Sequence, residues 1–165
     1  MANKKFIYVD IETTGLDSSR DNIVELSYAI EQGEITTLYG GIESVSPQID
    51  ELIKFYERGV DKKAPATEED IDLFLEATKG QTMVAANPAF DSQFLKDRDL
   101  WSMSYRMLDI ESYGMAKLGL DYVPGMKELY EILTTQGYNV PKPDHSSYGD
   151  VRALRFMFNI LRYKF

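Results

Sequence analysis

The chain has 165 residues, 44% of them hydrophobic and none of them cysteine. That is enough for a core of its own without disulfides, and it rules out thiolate chemistry and Cys-rich zinc sites. Acids outnumber bases 27 to 18 for a net charge of -9, which argues against a basic groove that binds nucleic acid by neutralising phosphates. The exception is an acidic cluster that holds divalent cations, because the metal then puts positive charge where a phosphate can sit. With no cysteine, no signal-like start and no apolar run near the roughly 20 residues of a membrane helix, a cytoplasmic protein with no membrane partner is expected.

Residues 4–10, KKFIYVD, read as a strand. Phe6 and Tyr8 face one way and Ile7 and Val9 the other, as in the middle of a sheet, and Asp10 and Glu12 share a face at its end. Residues 23–31 and 35–43 are two more strands around the polar turn Gln32-Gly33-Glu34, so three antiparallel strands open the chain. Ser46-Pro47 starts a helix with Ile49, Leu52, Ile53 and Tyr56 on one side, expected to last until Gly59. Thr67 caps a second, with Asp70 in the capping-box position and a stripe of Ile71, Phe74, Leu75 and Thr78. The period then predicts a strand at 81–86, a helical turn at 90–95, a strand at 105–110, and helices at 111–118 and 126–136. A final helix from Ser146 to Arg162 carries Val151, Leu154, Phe158 and Leu161 on one stripe. No repeat or linker interrupts this pattern, and residues 1–165 read as one mixed α/β domain.

Three segments carry chemistry. Asp10-Ile11-Glu12 puts two carboxylates on one strand face just before Thr13-Thr14-Gly15-Leu16. Two such charges about 4 Å apart repel by up to ~4 kcal/mol at an effective dielectric of 20, so they must be solvated, protonated or bound to a hard cation such as magnesium or manganese. Asp91, in Asn87-Pro88-Ala89-Phe90-Asp91, follows a short buried strand and taken singly reads as a helix cap. His145, the one histidine, precedes Asp150 in the first turn of the last helix; imidazole is the side chain suited to act as a base near neutral pH.

In order, type and spacing, D-x-E-T-T-G-L at 10–16, N-x-x-F-D-x-x-F-L at 87–95 and H-x-x-x-x-D at 145–150 resemble the DEDDh 3′-to-5′ exonuclease superfamily, over about residues 4–162. The resemblance implies a ribonuclease H-like fold: a mixed five-stranded sheet, three antiparallel strands then two parallel, flanked by helices. It also implies that Asp10, Glu12, Asp91 and Asp150 converge to hold two divalent cations, Mg2+ or Mn2+, with His145 taking the proton of the attacking water. Thr13, Thr14, Gly15, Leu16, Asn87 and Phe90 match positions around the terminal nucleotide. The implied substrate is the 3′ end of a single strand, DNA favoured as in editing beside a DNA polymerase, with RNA end trimming open. Oligomeric state is not addressed. A nucleic-acid-binding or polymerase-accessory module that has lost catalysis is the second reading, although such modules commonly lack an acid or the histidine and all five are here. A haloacid dehalogenase-type phosphatase would need Asp at the position of Glu12. Ser147 departs from the usual Ala two positions after the histidine and, placed on the loop, is expected to tolerate change. The aromatics around Trp101 and Tyr105 suit either core packing or a stacking platform.

Overall fold

The structure is a computed structural model that describes residues 5–165. Lys4, the first residue of the first expected strand, lies outside the described residues. Five strands form one sheet: β1 Phe6–Thr13, β2 Ile23–Ile30, β3 Thr36–Tyr39, β4 Thr82–Ala85 and β5 Met107–Asp109. Their order is β3-β2-β1-β4-β5. β1 and β3 flank β2 antiparallel, whereas β4 joins β1 in parallel with Ile7 opposite Met83, and β5 joins β4 in parallel with Val84 opposite Leu108. This is the arrangement of three antiparallel and two parallel strands that the resemblance implies.

β1 is central because both of its faces are apolar. Tyr8 packs with Phe158 and Leu154 of the last helix, and Ile7, Val9 and Ile11 pack on the opposite side with Phe74, Phe94 and Leu95. The helices are α1 Pro47–Ile53, α2 Glu68–Thr78, α3 Pro88–Asp97, α4 Ile110–Leu118, α5 Met126–Thr135 and α6 Ser147–Lys164. α2 and α3 cover one face; α4, α5 and α6 cover the other. α6 is held through its expected stripe, Val151, Leu154, Phe158 and Leu161, all buried, with the Phe158 ring 5.1 Å from that of Phe6 and 5.8 Å from that of Tyr8. Burying a side chain of that size contributes about 1.5–3 kcal/mol.

The structure departs from the sequence reading in several element bounds and residue roles. β1 runs beyond the expected 4–10 to Thr13, with Asp10 and Glu12 on one strand face as expected and paired with Ser27 and Glu25 of β2. α1 stops at Ile53: Lys54 turns left-handed at φ 54°, and the chain sends Phe55 inward against Val24, Ile53 and Val60, a burial gained at the expense of further helix. The strands expected at 35–43 and 105–110 shrink to Thr36–Tyr39 and Met107–Asp109, the two edges of the sheet, where only one neighbour supplies hydrogen bonds. Asp91 is not a cap. Pro88, whose ring suits the first helical position, starts α3 after Asn87, and Asp91 lies a turn further in.

Candidate active site

The C-terminal half of β1 and the N-terminus of α6 meet over the sheet. There, one carboxylate oxygen from each of Asp10, Glu12 and Asp150 lies within 4.8 Å of the others. Period two puts the first two acids on one face of β1. The third is delivered by the start of α6, where the Ser146 hydroxyl accepts from the Gly149 N–H at 2.9 Å. Asp150 Oδ1 accepts from the backbone N–H groups of Asp144, at 2.9 Å, and His145, at 3.3 Å, so the loop that carries the histidine hangs from this carboxylate. Gly149 makes that packing possible, since a Cβ there would collide with the Asp144 carboxylate. Asp91 is buried close by, Oδ1 accepting from the Ile11 N–H at 3.2 Å, but it lies outside the three-residue cluster.

The electrostatics are those of a site short of positive charge. Asp10 Oδ2 is shielded from solvent and has no hydrogen-bond partner. Burial, then the charges of Asp91, Glu12, Asp150 and Glu25, push the Asp10 carboxyl well above the usual range. Burial and the Asp150 and Glu25 charges raise Glu12 to about 9, against the pull of Arg58. Asp91 rises to about 8 through burial, opposed by the Ile11 N–H. Asp150 rises for the same first reason, opposed by the Asp144 N–H and by His145. Hard oxygen donors, mutual repulsion and an orphaned buried oxygen are what a divalent cation would satisfy, so the residues fit magnesium or manganese.

Behind the cluster lies an ion pair absent from the sequence reading. Glu25, fully buried and opposite Glu12 in the β-ladder, accepts from Arg58 Nη2 at 2.8 Å on Oε1 and 2.6 Å on Oε2. Its Oε1 also accepts from the Ser147 N–H at 2.7 Å, and the Ser147 hydroxyl lies 2.7 Å from that of Ser27. Arg58 is anchored in turn by donating to the Ile53 carbonyl at 2.8 Å. Glu25 and Arg58 thus fix where α6 begins, and with it Asp150. The signal in the sequence is a lone carboxylate in the apolar run Ile23–Ile30, which requires a partner. Ser147 is a correction: it is the fully buried first residue of α6, not a tolerant loop position.

The remaining expected residues have local roles that the structure defines. The Thr13 hydroxyl donates to the Gly15 carbonyl at 2.6 Å, and the Thr14 N–H and Oγ1 close the turn on Asn22. A Cβ on Gly15 would strike the Asp21 carboxylate, which is why the turn needs glycine. Leu16 projects from it, 87% exposed. Asn87 is left-handed at φ 48°, donating its N–H to Asp109 Oδ1 at 3.3 Å, and the Phe90 ring packs 5.0 Å from Phe94. His145 is exposed and also left-handed, φ 60°. With Asp150 it lines a cleft of about 1050 Å³ whose other walls include Lys54, Lys127, Tyr130 and Lys142. Trp101 packs partly buried against the core under Lys96, so it is a packing residue, whereas Tyr105 is exposed.

No family model matches the chain. It is similar to PolC-type DNA polymerase III: 37% identical over 101 residues in Caldanaerobacter subterraneus subsp. tengcongensis, covering 57% of this chain and 7% of that protein. In Thermotoga petrophila the identity is 32% over 114 residues, 66% of this chain and 8% of that one. Among solved structures, the zinc-bound complex of E. coli exonuclease I with single-stranded DNA superposes at TM-score 0.70 and 13% identity, over 98% of this chain and 41% of that one. Exonuclease I from Methylocaldum szegediense gives 0.69 and 16%, over 96% and 40%. The chain therefore spans less than a tenth of the length of its curated relatives and about two fifths of its structural neighbours. It has the fold of the exonuclease I structures, and its sequence relatives are PolC-type DNA polymerase III, both consistent with the resemblance to the DEDDh 3′-to-5′ exonuclease superfamily.

Proposed function

We propose that this chain is a metal-dependent 3′-to-5′ exonuclease that releases 5′-mononucleotides from the 3′ end of single-stranded DNA, residues 1–165 acting as one exonuclease domain in the cytoplasm. The observation that carries this reading is the meeting of the Asp10, Glu12 and Asp150 carboxylates within 4.8 Å, beside the loop that presents His145. Asp10, Glu12 and Asp150 would hold one Mg2+ or Mn2+, and Asp10 with Asp91 a second. Bound there, such ions polarise the scissile phosphodiester and offset charge on the attacking and leaving oxygens. His145 takes a proton from the attacking water on a ring nitrogen. The water oxygen bonds to phosphorus, the bond from phosphorus to the 3′ oxygen breaks, and that oxygen takes a proton from solvent to become the new 3′ hydroxyl, while His145 returns its proton to solvent.

The turn from Thr13 to Leu16 would offer backbone groups and an exposed leucine to the terminal nucleotide, and Asn87 and Phe90 would contribute to holding it. Recognition by metal, backbone and apolar contact over a few nucleotides explains how an acidic protein can take a polyanion. The DNA in the E. coli exonuclease I complex and the PolC-type relatives support DNA as the polymer and a DNA polymerase as a partner.

The test is digestion of 5′-labelled single-stranded DNA and RNA of one sequence, with magnesium or manganese, with chelator, and with Asp10→Ala. A ladder that shortens from the 3′ end only with metal, faster on DNA, is expected. A ladder that persists in chelator or in Asp10→Ala removes the mechanism. Binding without any cleavage turns the reading to an accessory module.

A further inference from the structure

Away from the crevice, the outer face of α6 stands apart from the rest of this acidic molecule. Tyr148, Arg152, Arg155, Phe156 and Tyr163 recur at spacings of three, four and seven, so they share one side of the helix, with Arg162 at its edge. Tyr148, Arg152, Phe156 and Tyr163 are exposed, and Arg155 partly so. The helix has one acid, Asp150, and that side chain is turned into the carboxylate cluster. In a chain of net charge -9 this face is cationic and aromatic throughout. Neither Arg152 nor Arg155 is in an ion pair among the described residues. Arg155 Nη1 donates to the Gly33 carbonyl at 2.6 Å, which fixes the guanidinium and leaves its other N–H groups free. Together with Tyr148 and the β2–β3 turn at 32–35, the two arginines line a polar cavity of about 410 Å³, in which Glu34 is the one carboxylate.

We infer that this face is a track for the single-stranded nucleic acid upstream of the scissile bond, Arg152 and Arg155 taking backbone phosphates and Tyr148 a base face. Arginine pairs forked N–H groups with phosphate oxygens, and an exposed tyrosine stacks on any base, so the pairing tolerates sequence. The face starts three residues after His145, on the side of α6 turned away from Asp150, so the strand would round the first turn of the helix to reach it, and Tyr148 to Tyr163 spans about 22 Å at 1.5 Å per residue. An acidic protein would match the charge too, but the exposed rings of Tyr148, Phe156 and Tyr163 interleaved with the arginines favour a polynucleotide, whose bases stack on them. The inference rests on the exonuclease reading for its direction, and its test separates the two.

The experiment compares wild type with Arg152→Gln and with the double variant Arg152→Gln/Arg155→Gln. The substrates are a roughly 12-nucleotide DNA strand, long enough to leave the terminal site, and the p-nitrophenyl ester of thymidine 5′-monophosphate, which reaches only that site. Expected are a KM for the strand raised about 10-fold in the double variant, an unchanged kcat, and an unchanged rate on the ester. The slope of log affinity against log salt should fall by about 1.4 for two lost contacts with a single strand. An unchanged KM and salt slope in both variants overturns the track, even with full exonuclease activity. If wild type cleaves neither substrate, the exonuclease reading fails, and the track is judged by anisotropy of the labelled strand in chelator. Weaker binding of the strand by the variants supports it; equal binding or no binding overturns it.

Discussion

Two layers of buried acid lie one strand apart and are treated in opposite ways. In the inner layer Glu25 has its charge met three times over, by two bonds from Arg58 and one from the Ser147 N–H. In the outer layer Asp10, Glu12 and Asp150 crowd within 4.8 Å and form no ion pair among the described residues, and Asp10 Oδ2 has no partner there. Both layers cost desolvation energy, but only the inner one recovers it within the fold. A satisfied carboxylate of this kind positions structure. An unsatisfied group kept beside it is a place for something from solution, and the contrast, more than either layer alone, marks the crevice as the site.

Substitutions should therefore have different consequences in the two layers. The largest effect is on turnover: Asp10→Ala or Asp150→Ala abolishes exonuclease activity while circular dichroism and melting remain those of a folded protein. Full activity in either variant would detach the cluster from catalysis. His145→Ala should come next, lowering kcat by about 100- to 10,000-fold, the range of a general base, with metal affinity by calorimetry unchanged because no ligand is removed. A variant whose kcat matches wild type assigns the imidazole no proton transfer. Arg58→Met should do the reverse: it strands the Glu25 charge, costs about 3–5 kcal/mol of stability by denaturant unfolding, and affects activity only through the start of α6. If Arg58→Met melts like wild type, the inner pair is not the anchor its geometry suggests.

The same contrast explains what could be read from the sequence. Strand and helix order was legible because it rests on local period: alternating apolar faces in Phe6–Thr13, and a stripe of Val151, Leu154, Phe158 and Leu161 in α6. The acids of the site were recognisable through motif spacing. Their separations, with Asp91 outside the three-residue cluster, are set by how α3 and α6 pack on the sheet, and no spacing encodes that. Glu25 and Arg58 are 33 residues apart in sequence and meet only because the chain breaks α1 at Lys54 to bury Phe55. That tertiary preference also overrode the helical pattern expected to reach Gly59. Ser147 was misjudged for a related reason, since its value lies in contacts to Ser27 and Glu25, more than a hundred residues earlier.

The smallest effect expected is on stability as a function of pH, and it tests the outer layer without any mutation. Burial and like charges raise Glu12 to about 9, and burial raises Asp91 to about 8, in the folded chain, from ordinary values of 4.5 and 3.8. Over that interval the folded state holds more protons than the unfolded one, so the contribution of these groups is fully present below about pH 4 and is lost as pH climbs through their folded values. Asp17 and Asp70, both partly exposed and lowered by hydrogen bonds from Ser19 and Thr67, act in the opposite sense but only at the acid end. In chelator, the Tm should thus decline by several degrees between about pH 5 and pH 9. Magnesium or manganese should flatten the curve, because a bound cation replaces the protons and binds more tightly as they leave. Calorimetric melts across that range, with and without metal, check both. A Tm that falls equally in either condition would mean that the cluster is satisfied by protons alone, and would erase the distinction between the two layers.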